Sequence, residues 1–197
     1  MRRIELAAAA ALVLAAAACN DGSGSGGNVT TDADVTEDAA VDDALGTGPA
    51  APASTPLPVD AAGFANAVAA SDLYEIESSK LAREKATSAE LRSFAQMLQR
   101  EHENSTAKLK SVAAAANAAP GPALDAEKQG MLDELKGLSG SAFDRRYMAQ
   151  QRTAHQKALM LLQNYQASGD SDALKTFAAT AQKTVEEHLD RLNNMPI

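Results

Sequence analysis

The sequence predicts an all-α protein, an antiparallel four-helix bundle with a short extra helix between helices two and three. Three observations predict it. Core positions recur in alternating steps of four and three along four long stretches, the spacing of helices that pack against one another. Those stretches are rich in Ala, Leu, Glu, Lys and Gln, which are good helix formers. Glycine and proline are nearly confined to the connections, and few aromatics with no tryptophan disfavour a sheet.

The first long helix is expected to start after Asp60, a good N-cap, and to run to about Lys85. The second begins at Ser88, with Glu90 and Leu91 in its first turn, and runs to about Ala116. Pro120 and Pro122 stop it, because proline lacks the N–H a helix needs. A short helix over Leu124–Leu138 presents Leu124, Met131, Leu135 and Leu138 on one face, and Gly137 and Gly140 end it. The third long helix covers about Ser141–Ala167, and Gly169 with Asp170 makes the next turn. Ser171 caps the fourth, which runs to about Asn194 and stops before Pro196.

The four-and-three spacing assigns a seam to each long helix. On the first it reads Phe64, Val68, Ser71, Glu75, Ser78 and Ala82. The second gives Leu91, Ala95, Leu98, His102, Ser105, Leu109 and Val112. Met148, Gln151, His155, Ala158, Leu162 and Tyr165 form the third. Leu174, Ala178, Ala181, Val185, His188, Leu192 and Met195 form the fourth. Short connections after Lys85 and Ala167 make each joined pair antiparallel. Charged positions such as Lys80, Arg83, Glu84, Lys108 and Lys110 fall on solvated faces.

Residues 1–18 form a segment of another kind. Arg2 and Arg3 precede an apolar run, Leu6–Leu14, and Ala15–Ala18 lead straight into Cys19. The run is too short to cross a bilayer, which takes about 20 apolar residues. It reads as a signal peptide. Cys19 is the single cysteine of the chain, so it has no partner for an intramolecular disulfide. Its position resembles the lipobox of bacterial lipoproteins, with Ala16 where that motif usually has leucine. The expected outcome is lipidation of Cys19; plain secretion with a free thiol is the alternative. The chain is accordingly expected to be exported to the periplasm and lipid-anchored to the inner or outer membrane.

Residues 19–59 read as a tether that carries the lipidated cysteine. Glycines alternate with serines from Gly22, an acidic stretch from Asp32 to Asp43 follows, and Pro49, Pro52, Pro56 and Pro58 close it. With little to bury and charge of one sign, such a segment cannot offset its ordering entropy and is expected to be disordered. Residues 60–197 remain, enough for one domain with a core. The formal net charge of −8 makes nucleic acid an unsuitable partner, since a phosphate backbone calls for a basic face.

The seams carry one unexpected feature. All three histidines of the chain lie on them, one on each of the last three long helices, and Glu75 lies on the first. A carboxylate on a seam is costly to bury unless it is paired or bound to a cation. Glu75 and His102 fall at similar depth, whereas His155 and His188 differ by about one turn, or ~5 Å. Glu75, His102, His155 and His188 are therefore candidate metal ligands, a donor set that suits zinc, copper or iron. Glu101 and Glu187 each directly precede a histidine and are expected to point elsewhere, as outer supports or surface groups. The alternative is a polar layer, Glu75 with the histidines and Ser105, that only fixes helix register. No nucleophile constellation or phosphate-binding loop is present, and the Glu-x-x-His pairs of a di-iron carboxylate bundle are missing.

Four segments, FANAVAASDLYEIESSKLAREKA, LRSFAQMLQREHENSTAKLK, FDRRYMAQQRTAHQKAL and TAQKTVEEHLDRL, carry a family resemblance. Over Phe64–Leu192 the chain resembles domain-of-unknown-function family 4142. The gapped motif is Glu75, an acidic residue with His102, then His155 and His188. The family pattern usually has an acid before the third-helix histidine, where this chain has Ala154. The resemblance implies a ferritin-like bundle and an envelope location, and it implies no reaction. The resulting expectation is an envelope-anchored module that binds a metal ion or an envelope protein partner without turnover. A purely structural lipoprotein and a metal-dependent redox enzyme are the alternatives.

Overall fold

The computed structural model describes residues 56–121 and 123–196; Cys19, the signal segment and most of the expected tether lie outside them. The described residues form five helices and no strands, the all-α class that the periodicity predicts. They are α1 (Ala61–Lys85), α2 (Ala89–Ala115), α3 (Ala126–Gly137), α4 (Gly140–Ser168) and α5 (Asp172–Asn194). None of them is long and apolar enough to cross a membrane.

Three of the expected caps operate. Asp60 accepts from Gly63 N–H at 2.7 Å, Ser88 from Leu91 N–H, and Ser171 from Leu174 N–H. Each satisfies one of the backbone donors that a helix start leaves unpaired. The short helix starts later than expected, because Asp125 takes the cap and accepts from Lys128 N–H at 2.8 Å. Its buried positions are Leu132 and Leu135, while Leu124, Met131 and Leu138 are only half-buried. Gly140 opens α4 instead of closing α3, with φ +60 in the left-handed region that suits glycine. Ahead of α1 the chain is already held: Val59 carbonyl accepts from Asp170 N–H at 3.1 Å.

Helix α1 packs on α2 and α4, and α5 packs on α4 and α2, so the long helices surround one core; α3 lies against α1 and α4. The apolar core comes in two clusters. One holds Phe64, Leu109, Leu162, Tyr165, Leu174 and Phe177. The other holds Ala82, Leu91, Phe94, Leu98, Phe143 and Leu192. Every long helix crosses from one cluster to the other, and between them it contributes buried polar groups. These are Asp72, Glu75, Ser78 and Ser79 on α1, His102 on α2, Gln151 and His155 on α4, and His188 on α5.

The apolar clusters on either side of this layer supply the hydrophobic stabilisation. Leu98 is fully enclosed in the second cluster. Leu98→Ala is expected to cost about 2–5 kcal/mol, the range for truncating a buried leucine. Urea unfolding followed by far-ultraviolet circular dichroism measures it; a loss below about 1 kcal/mol would contradict this packing.

Candidate metal centre

The three histidines meet. His155 Nε2 lies 3.1 Å from His188 Nδ1, and the His102 ring centroid is 5.7 Å from that of His155 and 5.6 Å from that of His188. One nitrogen from each ring falls within 4.8 Å of the others. The expected offset of one turn between His155 and His188 is bridged by side-chain direction. Helical side chains lean toward their own N-terminus, so on helices joined by a short turn the two lean in opposite senses. His188 is the farther from the turn and leans toward it; His155 leans away, and the rings close the gap.

The hydrogen bonds assign the tautomers. His155 Nδ1 faces its own helix's Gln151 carbonyl at 2.9 Å, which can only accept, so the proton is on Nδ1. Glu101 Oε2 lies 2.6 Å from His188 Nε2, and Asp72 Oδ1 lies 2.8 Å from His102 Nδ1. Each carboxylate accepts from the nitrogen beside it. In the neutral rings the bare lone pairs are then His155 Nε2, His188 Nδ1 and His102 Nε2. Two of them point at each other at 3.1 Å with no proton between, and His102 Nε2 has no hydrogen-bond partner.

Charge points the same way. Glu75 is 1 % exposed, its Oε1 sits 3.6 Å from His155 Nδ1, and its Oε2 has no hydrogen-bond partner. Burial pushes the Glu75 carboxyl up to about 7, against the opposing pull of His102. Asp72 is also buried, and its ion-pair partner is His102 rather than a lysine or arginine. Burial, with the charges of His102 and His188, holds His155 well below the ordinary imidazole value. His188 is lowered as well, by burial, against the opposing effect of its hydrogen bond to Glu101. For His102 burial pulls downward, but the Asp72 carboxylate outweighs it and leaves the ring raised. Two buried carboxylates, with His155 and His188 lone pairs that resist protonation, make a site whose natural complement is a cation.

The dimensions fit a transition metal. Zinc–nitrogen bonds of about 2.0–2.1 Å place neighbouring tetrahedral donors about 3.3 Å apart. The His155–His188 pair is already near that spacing, and His102 needs a shift on the order of 1 Å. Asp72 and Glu101 orient His102 and His188 from behind, the support that metal-bound imidazoles usually have. Asp72 also accepts from Thr106 Oγ1 at 3.2 Å. Asp72→Asn is expected to weaken metal affinity about 10–100-fold without loss of helicity. A chelator-competition titration measures this; an unchanged affinity would remove Asp72 from the site.

Three of the four predicted ligands, the histidines, bring their donors together; Glu75 lies in the same buried layer but behind His155, nearest its Nδ1. The sequence reading missed Asp72, and of the two roles it offered Glu101 the structure shows the outer support. Strict alternation from Phe64 lands on the half-buried Ser71; two successive steps of four, through Val68, and then one of three reach Asp72 and Glu75. Glu101 turns away from its neighbour His102 and supports His188 instead, because α5 packs beside α2 and brings that ring within its reach. Glu187 is exposed, as expected, and Ala154 lines a separate cavity with Tyr74 and Lys157.

A helical bundle whose core is interrupted by a buried histidine–carboxylate layer is the class of protein that this fold and site define. The chain belongs to the family described as Domain of unknown function (DUF4142), whose profile matches residues 46–195. No curated protein and no solved structure matches it. Family membership assigns no reaction.

Proposed function

We propose that this chain is an envelope lipoprotein, anchored through Cys19, whose helical domain binds one transition-metal ion on His102, His155 and His188 with Glu75 beside them. The observation that carries the reading is the convergence of three imidazole nitrogens within 4.8 Å, each ring oriented from its other side. A layer that served only to fix register would satisfy its own members. Here Glu75 Oε2, His102 Nε2 and Gln151 Oε1 all lack partners. The arrangement of α1, α2, α4 and α5 is read as ferritin-like, with one histidine on each of α2, α4 and α5, and residues 19–59 as the lipidated cysteine and its spacer from the membrane. Zinc, copper and iron all suit three imidazoles, with the Glu75 carboxylate balancing charge from behind His155.

Elemental analysis of the full chain, prepared without a polyhistidine tag and incubated with each metal in turn, tests the binding. About one ion per chain is expected, with near-complete loss in His102→Ala/His188→Ala that retains its helicity. No retention of zinc, copper or iron by the wild type would defeat the reading. Anchoring has its own test: Cys19→Ser is expected to move the protein from the membrane fraction to the soluble envelope fraction.

A further inference from the structure

The histidine layer is closed on one side and open on the other. Glu75, Gln151 and His155 are at most 1 % exposed and line no cavity with the other histidines. His102 and His188 instead form part of the wall of a cavity of about 310 Å³ enclosed by α1, α2, α4 and α5. The remaining walls divide by chemistry. Val68, Leu161, Leu162, Phe177 and Val185 supply apolar surface, and Lys108 stands exposed at the rim. The cavity runs along the helices away from the histidines: Lys108 lies six residues past His102 on α2, which is ~9 Å along the axis. At the histidine end, Asp72 and Glu101 are engaged by His102 and His188, and the exposed Glu187 lines the wall beside them, so an anion is drawn there by the metal against that carboxylate.

We infer that the cavity takes a small monocarboxylate with an aliphatic tail, its carboxylate on the metal and its tail along the Val68–Leu161–Phe177 wall. The inference rests on the metal reading. Three imidazoles leave a coordination position, and the one face of the layer that opens to a cavity directs that position into it. The volume is within the range of small-molecule sites. Lys108 adds positive potential along the way in.

Cobalt(II) loaded into the full chain gives a direct readout, because its visible bands respond to a new ligand. Octanoate is expected to shift the bands and saturate, and to bind at least tenfold more tightly than acetate. Each buried methylene contributes about a fourfold gain, so the tail decides the ratio. Ala181→Phe, which narrows the cavity from α5, is expected to abolish that preference while keeping the cobalt bands; Lys108→Ala is expected to weaken octanoate several-fold. Cobalt bands that octanoate leaves unmoved, or equal affinities for acetate and octanoate, overturn the inference alone. The chain-length comparison uses the wild type, so it decides even if a variant fails to fold. Failure of cobalt to bind at all overturns the metal reading and this inference with it.

Discussion

His155→Ala is expected to lower metal affinity more than about 100-fold, beyond the 10–100-fold typical of losing a group that merely supports a ligand. His155 is the most informative ligand to remove because it has no other task in solution. It is 1 % exposed, its Nδ1 is committed to the Gln151 carbonyl of its own helix, and Nε2 is aimed at His188. If the layer existed only to set register, the variant would lose folding stability and there would be no metal affinity to lose. Competition against a chromophoric chelator at fixed pH measures the affinity, and circular dichroism on the same sample controls for folding. The wild-type affinity is expected to fall with pH, because metal must displace the proton that Asp72 helps His102 retain.

Glu75→Gln is expected to act in opposite directions on the metal-free and metal-bound proteins. Without metal, an ionised Glu75 is a fully buried charge with one oxygen unpartnered. Its pKa is raised from 4.5 to about 7 in the folded protein, so the folded state holds a proton more tightly than the unfolded chain. The contribution to stability is then fully present below pH 4.5 and is lost as pH rises through about 7. At a pH above 7 the loss is about 3 kcal/mol at most. Metal-free Glu75→Gln escapes that loss, so it should be more stable than the wild type in mild alkali and nearly equal to it in mild acid. With metal bound, the carboxylate compensates positive charge, and the same substitution should weaken binding at least about tenfold. Denaturation of both proteins at two pH values, with and without zinc, resolves the four cases. A Glu75→Gln protein that is less stable than the wild type under all four would assign the carboxylate to structure alone.

Much of this was legible in the sequence because helical periodicity and capping are local. Asp60, Ser88 and Ser171 announce helix starts through side chains that bond three residues ahead, and the structure uses all three. Placement of Glu75, His102, His155 and His188 on buried seams follows from the same four-and-three spacing. The misses arise where neighbouring helices decide. Helix α1 buries far more of its circumference than one seam, including Asp72, Tyr74 and Ser79, because α2, α3 and α4 all press against it. A count along a single helix cannot register three neighbours. Tyr147, which none of the four seams includes, shares a hydrogen bond with Ser79 across that contact at 3.2 Å. Asp125 displaced Leu124 as the start of α3 because a side-chain acceptor outweighs the apolar face of a short helix. The ring that Glu101 supports was not legible because it is 87 residues away in sequence.

The coordination shell itself is the most direct object to measure. X-ray absorption on the zinc-loaded full chain, prepared without a polyhistidine tag, reports the donors and their distances. Three imidazole nitrogens at about 2.0–2.1 Å, with the remaining donors oxygen, is the shell expected of His102, His155 and His188. Loss of one imidazole from that shell should follow in His188→Ala. A shell built of oxygen donors alone, unchanged by that substitution, would place the ion elsewhere on this acidic chain and contradict the metal centre described here.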